Sequence, residues 1–245
     1  MYHPIYQEHL AHKAPVISTS LYDWITQQWL QQISSIESPI GVLATGGMPA
    51  STQAIWQAQY PHIQQLSCCH EKQPNSSSSL PHIYTDPTSW PLAEQSVDIC
   101  AFGPALSWID PFKKGLQTLI SSLRPGGTLL LAGLGPQTSA QSPIPGMPEW
   151  IDMQMLGDTL QQLGLLHVSV SQIILTLRYP SAQALIQDIK DHGLWVVSTT
   201  VPYAAWRQWL RQIKSTNGDI LWQVQIVFAR GIQRPINIPI QMKSN

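Results

Sequence analysis

Hydrophobic and polar positions along this chain switch between the period of a helix and the continuous runs of buried strands. Over residues 20–36, Leu21, Trp24, Ile25, Trp29, Ile33 and Ile36 fall near one helical face. Ile40-Gly41-Val42-Leu43-Ala44 is a short apolar run that predicts a buried strand, and residues 50–60 return to a helical pattern. Strands are predicted again at 63–68, 82–84, 97–102 and 128–132, with a helix over 111–123. The stretch 71–81, with Ser76-Ser77-Ser78-Ser79, has nothing to pack and reads as a loop. Strands that alternate with helices imply right-handed crossovers and a largely parallel sheet. Pro125 presets φ for a turn and Gly127 tolerates positive φ, so the chain passes from helix to strand in few residues.

A Pro- and Gly-rich link over 133–148 leads to a helix at 152–163, stopped by Gly164. A long strand at 168–177 follows, then helices at 181–191 and 203–214, and a closing strand at 221–228. In that last strand Val224, Ile226 and Phe228 alternate with polar or opposite-facing residues. This order predicts an α/β fold with a mostly parallel, seven-stranded sheet whose last strand runs antiparallel. Residues 178–214 are expected to cap the carboxyl edge. Residues 231–245, with Pro235 and Pro239, read as a flexible tail.

Composition narrows the class. A length of 245 residues suits one α/β domain with an appended lid, or two small domains at most. A hydrophobic share of 43% is that of a globular chain, and a net charge of −1 argues against general nucleic-acid binding. No apolar run reaches the length of a membrane span, and Met1-Tyr2-His3-Pro4 is not the start of a signal peptide. The three cysteines, Cys68, Cys69 and Cys100, form no disulfide framework, so a reduced, cytoplasmic protein is expected. Cys68-Cys69-His70 lacks a second ligand pair, so a strand end is expected there and no metal.

Candidate chemistry follows from the sheet. In an open parallel sheet a ligand sits outside the carboxyl ends of the strands, at the topological switch point. Here that is the turn Ala44-Thr45-Gly46-Gly47-Met48-Pro49-Ala50, which reads as a binding loop or as an ordinary turn. Spacing puts the end of the second strand at Cys69, with Glu71 just beyond as a carboxylate for ribose hydroxyls. Asp86 follows the third strand; it is a ligand acceptor or a turn cap before Pro87. Ala105, Leu106 and Trp108 follow the fourth strand and line either a pocket or the core. Over 178–214, Arg178, Lys190, Arg207, Arg211 and Lys214 stand against Asp188 and Asp191. That surplus steers an acidic partner, or is simply the solvated face of two helices. Trp195, Trp206 and Trp209 are expected to make the lid's own small core.

Several segments resemble a known family. The run Leu123-Arg124-Pro125-Gly126-Gly127-Thr128-Leu129-Leu130-Leu131 resembles the entry to the fifth strand of class I S-adenosylmethionine-dependent methyltransferases. Four further stretches resemble the BioC-type malonyl-acyl-carrier-protein O-methyltransferases of biotin synthesis. They are Tyr6-Gln7-Glu8-His9, Leu134-Gly135-Pro136-Gln137-Thr138, the helix from Asp152 to Leu160, and Leu175 to Lys190 with its Arg178-Tyr179-Pro180-Ser181 and Asp188-Ile189-Lys190. The resemblance implies a Rossmann-like core over 1–177 and 219–230, with a helical substrate lid over 178–218 inserted before the last strand. It implies S-adenosyl-L-methionine as cofactor, held by Gly46, Gly47, Glu71, Asp86, Pro87 and Ala105, with Tyr6 lying over it. The reaction implied is methyl transfer to the free carboxylate of malonyl-acyl carrier protein.

That carboxylate is already ionised near neutral pH, so no general base is required. Arg178 is the leading candidate to pair with it, and Tyr179, Arg207 and Arg211 are candidates for substrate and carrier binding. The chain departs from the family at Ala44 (an acid), Met48 and Ala50 (glycines), Cys69 (the ribose acid), Gly103 and Trp195 (both often Asn). These departures predict weaker cofactor binding than an intact glycine loop gives. Two rival expectations stand beside the first: a fold-retaining pseudoenzyme that binds a partner, and a methyltransferase for another carboxylic acid or a protein side chain.

Overall fold

The alternation of strand and helix folds as a series of crossovers onto one sheet. The computed structural model of the chain describes residues 5–9, 16–17, 20–33, 40–48, 51–69, 82–84, 90–138, 145–146, 150–191, 202–212, 215–216 and 219–235. The elements run β1 (Ile5–His9), β2 (Val16–Ile17), α1 (Leu21–Ile33), β3 (Val42–Gly46), α2 (Ser51–Gln59), β4 (Gln64–Cys69) and β5 (His82–Tyr84). They continue with β6 (Val97–Phe102), α3 (Phe112–Ser122), β7 (Leu123–Leu134), α4 (Met153–Gln162) and β8 (Leu166–Tyr179). α5 (Ala182–Asp191), α6 (Tyr203–Gln212), β9 (Ser215–Thr216) and β10 (Asp219–Ile232) complete the set.

The strand order is β1-β8-β10-β7-β6-β3-β4-β5, with β2 on β8 and β9 on β10, ten strands among the described residues. The expected seven lie within it. β1, β2 and β9 are the additions, and each is a short segment without the apolar alternation that betrays a strand in sequence. They pair through backbone groups alone, which any residue supplies. β10 runs antiparallel to both β7 and β8, as expected for the closing strand. The remaining long neighbours pair parallel.

Successive strand residues enter opposite cores, as the two-residue period demands. Leu43, Ile99, Leu130, Leu175 and Val224 pack on one face with Ile25 and Trp29 of α1 and Leu185 of α5. Cys100, Leu129, Leu131 and Val227 pack on the other with Leu116 and Leu119 of α3 and Leu156 and Leu160 of α4. α4 starts where Asp152 accepts the Met155 N–H at 2.9 Å, and Gly164 follows its end at a φ of +91°.

Two features position the carboxyl edge. At the opposite, amino edge, Leu123 pairs with Val97 and pairing resumes only at Thr128 opposite Ile99. The slack of Arg124-Pro125-Gly126-Gly127 wraps Asp98. That carboxylate accepts the N–H groups of Gly41 and Val42 at 2.8 Å each, and Arg124 Nη1 donates to both its oxygens at 2.8 and 3.0 Å. At the carboxyl edge, Leu134 at the end of β7 pairs with Ile226, which pairs with Ile173. Beyond that level, β8 and β10 continue through six more facing pairs, from Ile174–Gln225 to Tyr179–Ile220. The ribbon therefore projects roughly 20 Å past β7 at the usual rise per residue. α5 and α6 lie between its two strands in the chain. β10 also runs past residue 230, where the tail was expected: Gln233 exchanges backbone hydrogen bonds with Gly126 and Gly127. Residues 236–245 lie outside the described residues.

Candidate functional site

β3 lies between β4 and β6, and the chain leaves β3 toward one and returns at the other. The carboxyl ends of β3 and β6 therefore border the topological switch point. Gly103, the first residue past β6, donates its N–H to the Gly46 carbonyl at 2.8 Å and ties the two ends together. A Cβ on Gly46 would lie 2.5 Å from the Trp90 ring and 2.7 Å from Phe102. Those two rings pack tilted at 5.6 Å. Gly47 has a φ of +61°, and a Cβ there would meet Ala105 at 2.9 Å. Gly46, Gly47 and Ala105, three of the residues expected to hold a cofactor, are thus brought together. The Trp90 Nε1 and Ser107 Oγ atoms are buried beside this edge without a partner.

Met48 completes the turn and is buried. A Cβ on Gly103 would come within 2.2 Å of its sulfur and 2.7 Å of the Gly47 carbonyl oxygen. Met48 and Gly103, two of the positions where the chain departs from the pattern the resemblance implies, are therefore in direct contact.

Other expected residues are placed elsewhere. Glu71, Asp86, Pro87, Trp195 and Lys214 lie outside the described residues, as do the side chains of Cys69 and Lys190. The backbone of Tyr6 lies on the sheet's edge strand, away from the switch point. One register line crosses the sheet from Tyr6 through Val170, Ala229, Leu131 and Phe102 to Gly46. Five strand spacings separate its backbone from Gly46, about 24 Å along the sheet.

Residues 178–211 make contacts of a different kind. Arg178 is exposed and pairs with Asp219 at 3.7 Å. It faces the side of β8 opposite to Tyr179, as neighbouring strand residues must. Tyr179 donates its hydroxyl to Asp188 of α5 at 2.6 Å. Burial first, and then the Asp188 carboxylate, hold the Tyr179 phenol far above its ordinary pKa. Tyr22 of α1 is raised as well, by burial and then by Asp188 and Tyr179. Trp206 and Trp209 meet edge-on at 5.5 Å, but they make no separate core of their own: Trp209 is buried in the main core with Leu43 and Ile99, and Trp206 packs against it. Arg207 and Arg211 are exposed one turn apart on α6.

Gln225 was missed. It is buried on β10 and organises the turn after β7. Its Oε1 accepts the Gln137 N–H at 2.7 Å, and its Nε2 donates to Gln172 Oε1 at 2.6 Å. Its backbone bonds to the Thr138 hydroxyl and accepts from the Gly135 N–H at 2.9 Å. The signal was there: a glutamine at a position otherwise flanked by apolar strand residues.

Solved structures with this architecture decide the fold. The YcgJ protein of Bacillus subtilis superposes with a TM-score of 0.60 at 14% identity, covering 85% of this chain and 98% of that one. A SAM-dependent methyltransferase from Archaeoglobus fulgidus gives 0.56 at 12%, covering 86% and 94%. The fold is that of the class I methyltransferases.

In sequence, the chain is similar to malonyl-[acyl-carrier protein] O-methyltransferase 1 of Coxiella burnetii, 28% identical over 155 residues, 58% of this chain and 55% of that protein. It is 26% identical over 170 residues to a malonyl-[acyl-carrier protein] O-methyltransferase of Gallionella capsiferriformans, 66% of this chain and 52% of that protein. The chain spans about half the length of these curated relatives. No family model matches. No helix among the described residues is long and apolar enough to cross a membrane.

Proposed function

We propose that this chain transfers a methyl group from S-adenosyl-L-methionine to the free carboxylate of a malonyl thioester on acyl carrier protein, a step of biotin synthesis. Similarity to proteins named for that reaction, on a chain with the class I methyltransferase fold, carries this reading. Three features at the switch point support this reading: a left-handed turn at Gly47, glycines at both strand ends, Gly46 and Gly103, and two buried polar atoms nearby without a partner, although the Trp90 ring and the Met48 thioether fill the space beside those glycines. When bound, the cofactor supplies an electrophilic methyl on a sulfonium.

The chain's residues have four tasks. Gly46 and Gly47 let backbone approach the ligand, with Ala105 as wall. Glu71, Asp86 and Pro87 are assigned by the resemblance to the ribose and adenine end of the cofactor. Arg178 exchanges Asp219 for the substrate carboxylate, a charge-assisted pair of the kind Arg makes best. Arg207 and Arg211 meet the acidic carrier. No group need take a proton, because the carboxylate is ionised. Alignment and exclusion of water are what the site contributes.

The test is methyl transfer to malonyl-carrier protein beside acetyl-carrier protein. Transfer to the malonyl form alone is expected; no transfer to either at saturating cofactor would sink the proposal. One observation favours a second reading, a partner-binding pseudoenzyme: Met48 fills space between the strand ends. Carrier binding without transfer would select it.

A further inference from the structure

The side chain of Met48 spans the two strand ends that define the switch point. Its residue is the second beyond β3, and its sulfur lies against Gly103, the first beyond β6. Only 6% of it is exposed. It thus stands at the edge where an open parallel sheet receives a ligand, with its side chain packed into the core on the α1 side. We infer that Met48 is a resident occupant of the crevice at this edge, which must swing out before the cofactor seats and so sets its affinity. This rests on the proposed cofactor. Methionine suits the role, being unbranched, with three rotatable bonds and an adaptable thioether. It can leave by side-chain rotation while the Gly46–Gly103 hydrogen bond stays in place.

The paired glycine supports this. A side chain at 103 would meet the Met48 sulfur and the Gly47 carbonyl, so Gly103 is what lets the thioether settle. Displacing a buried methionine side chain forfeits its apolar contacts. That weakens binding roughly ten- to a hundredfold against a chain with no occupant.

The experiment is calorimetric titration of the full chain with S-adenosylhomocysteine, for wild type, Met48→Ala and Met48→Leu, each checked by thermal melting. Met48→Ala should bind at least about tenfold more tightly than wild type, and Met48→Leu, which keeps the bulk, should stay within a few-fold of it. Equal, measurable affinity for all three overturns the inference and leaves the cofactor reading intact. No binding by any of the three, with melts preserved, overturns both. A second measurement does not depend on the alanine variant folding. Wild type labelled with 13C-methyl methionine carries six such methyls. The one lost in Met48→Leu should shift from a buried to a solvent-exposed position as S-adenosylhomocysteine saturates. A Met48 signal that stays put at saturation overturns the inference.

Discussion

The two halves of the sheet's carboxyl edge are built from different materials. At β3 and β6 the edge is apolar and self-filled, with Trp90 on Gly46, Phe102 beside it, and Met48 against Gly103. At β7, β8 and β10 the edge is polar and hydrogen-bonded. Gln225 holds the turn Gly135-Pro136-Gln137-Thr138, and Tyr179 holds α5 through Asp188. Of the departures from the pattern the resemblance implies, Ala44, Met48 and Gly103 fall in the first half, and the segments that carry the resemblance fall mostly in the second. Those segments have visible structural work in this chain. Gly135 leaves room for the Gln225 carboxamide, Thr138 bonds both backbone groups of residue 225, and Asp152 caps α4. These are scaffold roles, so the resemblance speaks to the frame around the site more than to the reacting groups.

The largest expected effect tests the polar half. Gln225→Ala removes a buried side chain and two hydrogen bonds, and leaves the Gln137 N–H and the Gln172 carbonyl without this partner. A loss of about 3 kcal/mol in urea unfolding is expected from the deleted bonds and the cavity. A loss below about 0.5 kcal/mol, the scale of an ordinary surface change, would erase the contrast between the halves.

Next comes the amino end of the self-filled half. Burial raises the pKa of Asp98, but the N–H of Val42, the Arg124 guanidinium and the N–H of Gly41 together outweigh it and hold the carboxyl below its ordinary value. A depressed carboxyl pKa stabilises the fold above the unfolded-state value. That stabilisation is lost as pH falls from there through the folded value. Urea midpoints should therefore decline on acidification below about pH 4. Asp98→Asn should cost about 2 kcal/mol at neutral pH and flatten this part of the acid limb. An unchanged acid limb would mean that β3 and β6 are not clamped through this carboxylate.

Tyr179→Phe isolates the lid contact. The hydroxyl bonds a carboxylate, so its loss should cost about 1.5 kcal/mol. Amide exchange should speed up in α5 and not in α4. Uniform acceleration across both helices would show that Tyr179 supports the whole fold and not the lid.

The sequence made the frame legible because long apolar runs allow few interpretations. β5 and β6 have the predicted bounds, and β10 closes the sheet antiparallel. β1 was illegible for a physical reason: Ile5–His9 is a short segment whose sequence carries no apolar alternation, while its pairing with β8 uses backbone groups that any residue supplies. The site was legible by halves. Glycines at 46 and 47 marked the switch point correctly, since a left-handed turn leaves a glycine signature. That Met48 would lie against Gly103 was not readable, because it depends on two loops meeting in space. Nor did sequence show that neighbouring Arg178 and Tyr179 belong to opposite faces in what they touch, one exposed and paired with Asp219, the other bonded to α5.

The smallest expected effect on stability is the most specific to the lid surface. Arg207 and Arg211 are exposed on α6 one turn apart, so replacing both with Ala should move stability by no more than about 0.5 kcal/mol per site. The same change removes two positive charges from the face proposed to meet an acidic carrier. Exposed charges act over about 10 Å at 0.1 M salt, so they govern encounter more than the docked state. The double variant should therefore associate more slowly with malonyl-carrier protein at low salt and converge with wild type as salt rises, while its rate of methyl transfer at saturating carrier stays the same. Equal association rates for both proteins across the salt series would remove α6 from the carrier surface. The self-filled crevice would then be compared with a lid whose partner must lie on another face.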